Sequence, residues 1–104
     1  MFATIRRYEA VDQARTAELI QKADETLVPS LAEVPGFNGY YLIDAGNGIV
    51  NSIGFFDTPE HADESARVAS TWVREQKLEN VLPNPPKITT GEVVVQKSVE
   101  LVQA

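Results

Sequence analysis

The sequence has no cysteine, so neither a disulfide nor a thiolate metal site can hold the chain together. It has a single histidine, His61, which cannot build an imidazole-based zinc site without a second His or Cys. Basic residues are few: nine Lys and Arg stand against fifteen Asp and Glu, for a net charge of −6. The nine are scattered, which argues against the clustered positive surface that phosphate backbones require. No apolar run approaches the roughly 20 residues of a membrane span. The first eight residues lack the basic-then-apolar order of a signal peptide, so the expected location is cytoplasmic.

What remains is an ordinary globular composition, with 43% apolar and 23% charged residues in 104 positions. That length suits one domain, spanning residues 1–104. A chain so short buries a modest fraction of its surface, so its stability must come from a core that a partner subunit can enlarge.

Residues 2–8 (FATIRRY) are rich in β-formers and read as strand one. Asp12 then offers a cap, and Ala17, Ile20, Ala23 or Asp24, Leu27 and Leu31 repeat at helical spacing to about Glu33. Pro29 lies inside this run and predicts a kink or an early end, at about 3 kcal/mol. Val34-Pro35-Gly36-Phe37 is a stop followed by a restart. Residues 37–44 and 49–56 read as two strands joined by Ala45-Gly46-Asn47-Gly48, whose Asn and Gly tolerate positive φ. Thr58-Pro59-Glu60 is a helix start: a cap, a proline where its missing N–H is harmless, and an acid at the positive dipole end. Ala62, Ala66, Ala69 and Val73 form the apolar stripe of this second helix, with Trp72 beside it. Residues 78–82 suggest an extra turn, 83–86 (PNPP) a stiff connector, and 87–99 strand four.

The order β-α-β-β-α-β predicts an α+β, ferredoxin-like domain: a four-stranded antiparallel sheet with two helices on one face. Alternation then separates two faces. One carries Ala3, Ile5, Arg7, Phe37, Gly39, Tyr41, Ile43, Ile49, Asn51, Ile53, Phe55, Val93 and Val95. The other carries Phe2, Thr4, Arg6, Tyr8, Asn38, Tyr40, Leu42, Val50, Ser52, Gly54, Phe56, Glu92, Val94 and Gln96. Both are rich in apolar residues, yet helices can cover only one. A second sheet packed on the first would bury the other, predicting a two-fold homodimer by sheet-to-sheet packing. The sequence leaves open which face meets the helices.

The strand order, the Val34-Pro35-Gly36-Phe37 junction and the Gly46-Asn47-Gly48 hairpin resemble the antibiotic biosynthesis monooxygenase-like proteins, of the dimeric α/β barrel superfamily. The resemblance covers roughly residues 2–97. It implies oxidation of polycyclic phenols to quinones by dioxygen with no cofactor, neither metal nor flavin; a related branch degrades haem. Quinone-forming members carry pocket Asn and Trp on strand three, and Tyr and Arg on helix two. The matching positions here hold Ser52, Phe56, Ala62 and Gln76, and all four depart from that pattern. The haem branch uses Asn on strand one and Trp and His on helix two. Trp72 can stand for the Trp, but strand one has no Asn and no His follows Trp72. Axial haem ligation is therefore unsupported.

Arg6, Tyr8, Asn38, Tyr40, Ser52, Phe56 and Glu92 share one face, and an apolar wall with a few placed polar groups is what small-molecule sites look like. With Trp72 they are the pocket candidates, although Trp72 reads first as core and Arg6 has Glu92 as an alternative, internal partner. No catalytic residue is assigned: His61 sits in the first turn of a helix without an orienting partner, and no nucleophile has a base. There is no phosphate-binding glycine loop. Two functions stay open. One is a cofactor-free oxygenase acting on a small aromatic molecule. The other is a non-catalytic dimer that binds a small hydrophobic ligand or serves a structural role.

Overall fold

The computed structural model of the chain describes residues 1–97. Strand β1 is Phe2–Tyr8. A 3-10 turn, Gln13–Arg15, follows, with the Asp12 carboxylate accepting the Ala14 N–H as its cap. Then come α1, Thr16–Lys22; a π-helical turn, Ala23–Leu27; and α2, Val28–Ala32. Strands β2, Phe37–Gly46, and β3, Ile49–Phe56, form a hairpin. Helix α3 is Pro59–Glu75, and β4 is Lys87–Glu92. The last two residues of the expected fourth strand lie outside the described residues, and the regular strand ends at Glu92. All pairings are antiparallel in the order β2-β3-β1-β4, which is the ferredoxin-like sheet. Among the described residues no helix is long and apolar enough to cross a membrane.

Pro29 does not end the first helical run. It has no N–H to donate one turn back, and the turn before it widens: the Val28 N–H reaches the Ala23 carbonyl, five residues away. The helix then continues to Ala32. The widening keeps Leu19, Ala23, Leu27 and Leu31 on one buried line, while Ala17 and Ile20 are exposed. The buried stripe is therefore displaced from the one that regular spacing predicts.

On α3 the buried positions are Ala62, Ser65, Ala69 and Trp72, with Thr58 capping the start by accepting the His61 N–H. Leu78, Val81 and Leu82 do form a turn after the helix and are buried against the core. The Asn47-Gly48 turn has positive φ at both central residues, 55° and 77°, the mirror-image turn that matches strand twist.

The helices cover the face of Thr4, Arg6, Val50, Ser52, Gly54 and Phe56, all buried. The other face leaves Tyr41 63% and Ile43 45% exposed. One bulge corrects the expected alternation. Phe37 pairs with Phe56 but Gly39 pairs with Phe55, so Asn38 is an extra residue. Phe37 therefore turns to the inner side, where its ring meets Phe56 edge-on at 5.8 Å.

Candidate functional site

The inner face and the helices enclose a cavity of about 20 Å³, room for about one water. Its polar wall is Arg6 and Tyr8 from β1, Tyr40 from β2 and Ser52 from β3. Antiparallel pairing explains this cluster: Ser52 lies directly opposite Arg6, and Tyr40 opposite Gly54, one inner-face step away. Leu19, Ala23 and Leu27 close it from the first helical run, and Ala69, Trp72 and Leu82 from the second helix and the turn beyond.

Arg6 is only 4% exposed. Its Nη2 donates to Ser65 Oγ at 3.3 Å, and Ser65 Oγ donates to the Ala62 carbonyl at 2.6 Å. Its Nε is buried and has no partner. The ion pairs among the described residues involve Arg7, Arg15, Lys22 and Lys87, never Arg6. The guanidinium is thus a buried cation without a carboxylate. Burial lowers its proton affinity from the ordinary value, and only Tyr8 and Tyr40 act electrostatically in the other direction. Arginine is so basic that it stays charged regardless.

Burial pushes the Tyr40 phenol up to about 12; a hydrogen bond with Ser52 and the Arg6 charge pull it down, and Tyr8 adds to the rise. Burial raises Tyr8 as well, opposed by Arg6. Both phenols therefore keep their protons at neutral pH. The polar wall offers N–H and O–H donors and no group able to accept a proton as a base.

The expected pocket residues separate into two groups. Arg6, Tyr8, Tyr40, Ser52 and Trp72 surround the cavity. Trp72 is held by its ring N–H, which donates to Thr26 Oγ1 at 2.7 Å, while that hydroxyl donates to the Lys22 carbonyl. Phe56 is fully buried in a separate cluster with Val34 and Ala62. Asn38 sits on the bulge, exposed, and donates to Asp57 Oδ1 at 2.8 Å. Glu92 is exposed and lies opposite Phe2, whereas Ile88 lies opposite Arg6, so no Arg6–Glu92 pair forms.

His61 is half-buried, its Nδ1 without a partner beside Gly36. It does not line the cavity. Ser65 was missed by the sequence argument; its signal was a hydroxyl inside a stripe of alanines. No group of three His, Cys, Asp or Glu able to hold a metal occurs among the described residues.

Two open clefts adjoin the cavity. One, of about 340 Å³, lies between α3, the proline connector and the β1–β4 edge; it is lined by Arg6, Tyr8, Ala66, Val73, Pro83 and Ile88. Ser70, Arg74 and Glu79 also border it. The other, of about 610 Å³, lies between α1 and β2 and shares Ala23, Tyr40 and Leu42 with the cavity.

No family model matches the chain, and no curated protein matches it by sequence. Solved structures do match in shape. A monooxygenase from the gene ActVA-Orf6 of Streptomyces coelicolor, in complex with the ligand nanaomycin D, superposes with TM-score 0.67 at 20% identity, covering 93% of this chain and 92% of that one. A MhuD variant with two manganese protoporphyrin IX bound per active site gives 0.74 at 18% identity, covering 95% and 100%. A structure described as an antibiotic biosynthesis monooxygenase gives 0.68 at 14% identity, covering 91% and 100%. The chain has the fold of the antibiotic biosynthesis monooxygenase-like proteins, and the likeness extends over 91–93% of the chain in these two comparisons.

Proposed function

We propose that the protein is a monooxygenase-like protein that takes a small, oxygen-bearing aromatic molecule between its sheet and helices, as a homodimer packed through the outer sheet face. The observation that carries this is the buried Arg6, unpaired by any carboxylate and grouped with Tyr8, Tyr40 and Ser52 inside an apolar wall. A few donors set in apolar surroundings orient one polar end of a ligand. The enclosed cavity has room for one such end, so the rings must occupy an adjoining cleft.

The chemistry that suits these donors is oxidation of an activated ring carbon by dioxygen. A CH₂ between aromatic rings becomes C=O; one oxygen atom enters the product and the other leaves as water, with the CH₂ supplying the electrons. Arg6 and the Tyr40 hydroxyl would stabilise negative charge on the ring oxygen conjugated with that carbon. Oxygen uptake with an anthrone tests this: uptake with one quinone formed per dioxygen consumed, reduced at least about tenfold in Arg6→Gln, is expected. A second reading, binding without turnover, is favoured by the lack of a base in the cavity wall. Under that reading the same compound raises the melting temperature but no product accumulates. If the compound neither stabilises the protein nor reacts, both readings fail.

A further inference from the structure

We infer that Arg6 is the receptor for a phenolate: the ligand is held as an anion, its ionised ring oxygen against the Arg6 guanidinium and its rings in the cleft between α3, the proline connector and the β1–β4 edge. This rests on the small-molecule reading above and adds the ligand's charge state and place.

The first argument is charge. A cation taken out of water loses its hydration, and the loss is severe unless an opposite charge replaces it. Arg6 is only 4% exposed, and no carboxylate pairs with it among the described residues. The groups facing it are Tyr8 on its own strand, Ser52 on the neighbouring β3, Tyr40 on β2 one strand beyond, and Ser65 on α3. All four are neutral at pH 7. The other charged residues bordering the adjoining cleft, Arg74 and Glu79, are of opposite sign, and neither pairs with Arg6. A neutral ligand would leave the guanidinium uncompensated; an anion completes it.

The second argument is geometry. Nη2 is engaged by Ser65, and Nε is left buried without an acceptor. Nε is the buried guanidinium nitrogen left without a partner, and its single N–H beside the Tyr8 and Tyr40 hydroxyls suits one ligand oxygen atom. The cavity volume of about 20 Å³ admits one oxygen and no ring. Arg6, Tyr8 and Leu82 also border the α3 cleft, whereas the α1–β2 cleft does not reach Arg6. The α3 cleft, of about 340 Å³, falls in the size range of small-molecule pockets.

The third argument is protons. The cavity wall has no base, so the ligand's proton leaves to solvent as it binds. Binding must then lower the apparent pKa of the bound phenol, because the site prefers the ionised form.

The test uses 4-nitro-1-naphthol, whose phenolate absorbs in the visible, with its methyl ether and 1-naphthoate as comparators. For the wild type we expect the naphtholate to bind at least about tenfold tighter than the ether, and the bound phenol to titrate at least about one pH unit below the free one, the two being the same free energy. In Arg6→Gln, checked for folding by circular dichroism, the preference collapses to within about twofold and the titration shift disappears. Ser70→Trp, an exposed substitution in the α3 cleft, weakens naphtholate binding, whereas Ala17→Trp in the α1–β2 cleft does not.

Ether and naphtholate binding equally, or a preference that survives Arg6→Gln, would overturn the anion inference while leaving the small-molecule reading standing. Naphthoate bound more tightly than naphtholate would overturn the phenolate in favour of a carboxylate. Blockage by Ala17→Trp alone would overturn the cleft assignment. If no comparator binds at all, the small-molecule reading itself fails.

Discussion

Arg6 shows how a site residue can work against the fold that carries it. A buried, unpaired guanidinium destabilises the free protein, and an apolar side chain of similar length would not. Arg6→Met should therefore raise the free protein's stability by about 1–2 kcal/mol in urea unfolding at neutral pH, while abolishing anion binding. A fall in stability would mean that the guanidinium is compensated in the free chain. Tyr40 makes a second prediction at this scale. The folded tyrosine holds its proton to about 12, against an ordinary value of 10.0. Between those values the native state binds more protons than the unfolded chain. Stability is therefore fully present below about pH 10 and declines as pH rises toward about 12, by at most about 1.4 kcal/mol per pH unit per tyrosine. Tyr8 is shifted in the same direction and should add to the decline. Urea midpoints measured from about pH 8 to about pH 11 should fall less steeply in Tyr40→Phe than in the wild type. Much of the polar cluster was legible from alternation alone, because Arg6, Tyr8, Tyr40 and Ser52 follow the two-residue period. Asn38 was not, because a bulge breaks that period and nothing local in Phe37-Asn38-Gly39 announces one.

At the scale of the element, the first helical run is the informative case. Its existence was clear from spacing and from Asp12, and so was trouble at Pro29. The outcome was not: the chain answers the missing N–H by widening one turn instead of stopping. That choice depends on tertiary contacts that periodicity cannot see. The widened turn places Thr26 to accept from Trp72 at 2.7 Å, an anchor between the first helical run and α3. Thr26→Val keeps the shape and removes the acceptor, leaving the buried indole N–H unsatisfied. It should cost about 1–3 kcal/mol in urea unfolding and shift Trp72 fluorescence, whereas Thr26→Ser, which keeps the hydroxyl, should cost about 1 kcal/mol or less. Equal effects of the two substitutions would show that packing of the methyl group, and not the hydrogen bond, matters there.

At the scale of the molecule, both sheet faces looked apolar in sequence, and only the coordinates distinguish them. The helices take the face with Arg6 and Ser52, leaving Ile5, Tyr41 and Ile43 exposed, with the Tyr41 ring edge-on to Phe55 at 6.2 Å. The proposed dimer follows from this remainder. An exposed patch of large apolar side chains on a regular sheet is costly in water and prone to association. A second copy offering the same patch about a two-fold axis removes both problems at once. Native mass spectrometry at micromolar concentration should find twice the 11.4 kDa chain mass. Tyr41→Lys with Ile43→Lys should give the single chain, because like charges would face each other across the axis. The Arg6 cavity is closed by the protein's own helices on the opposite face, so the lysine variant should still bind the naphtholate within about threefold of wild type if it stays folded. A wild-type protein that is monomeric under these conditions would remove the dimer. A folded monomeric variant that loses the ligand would show that the second copy shapes the site from behind the sheet.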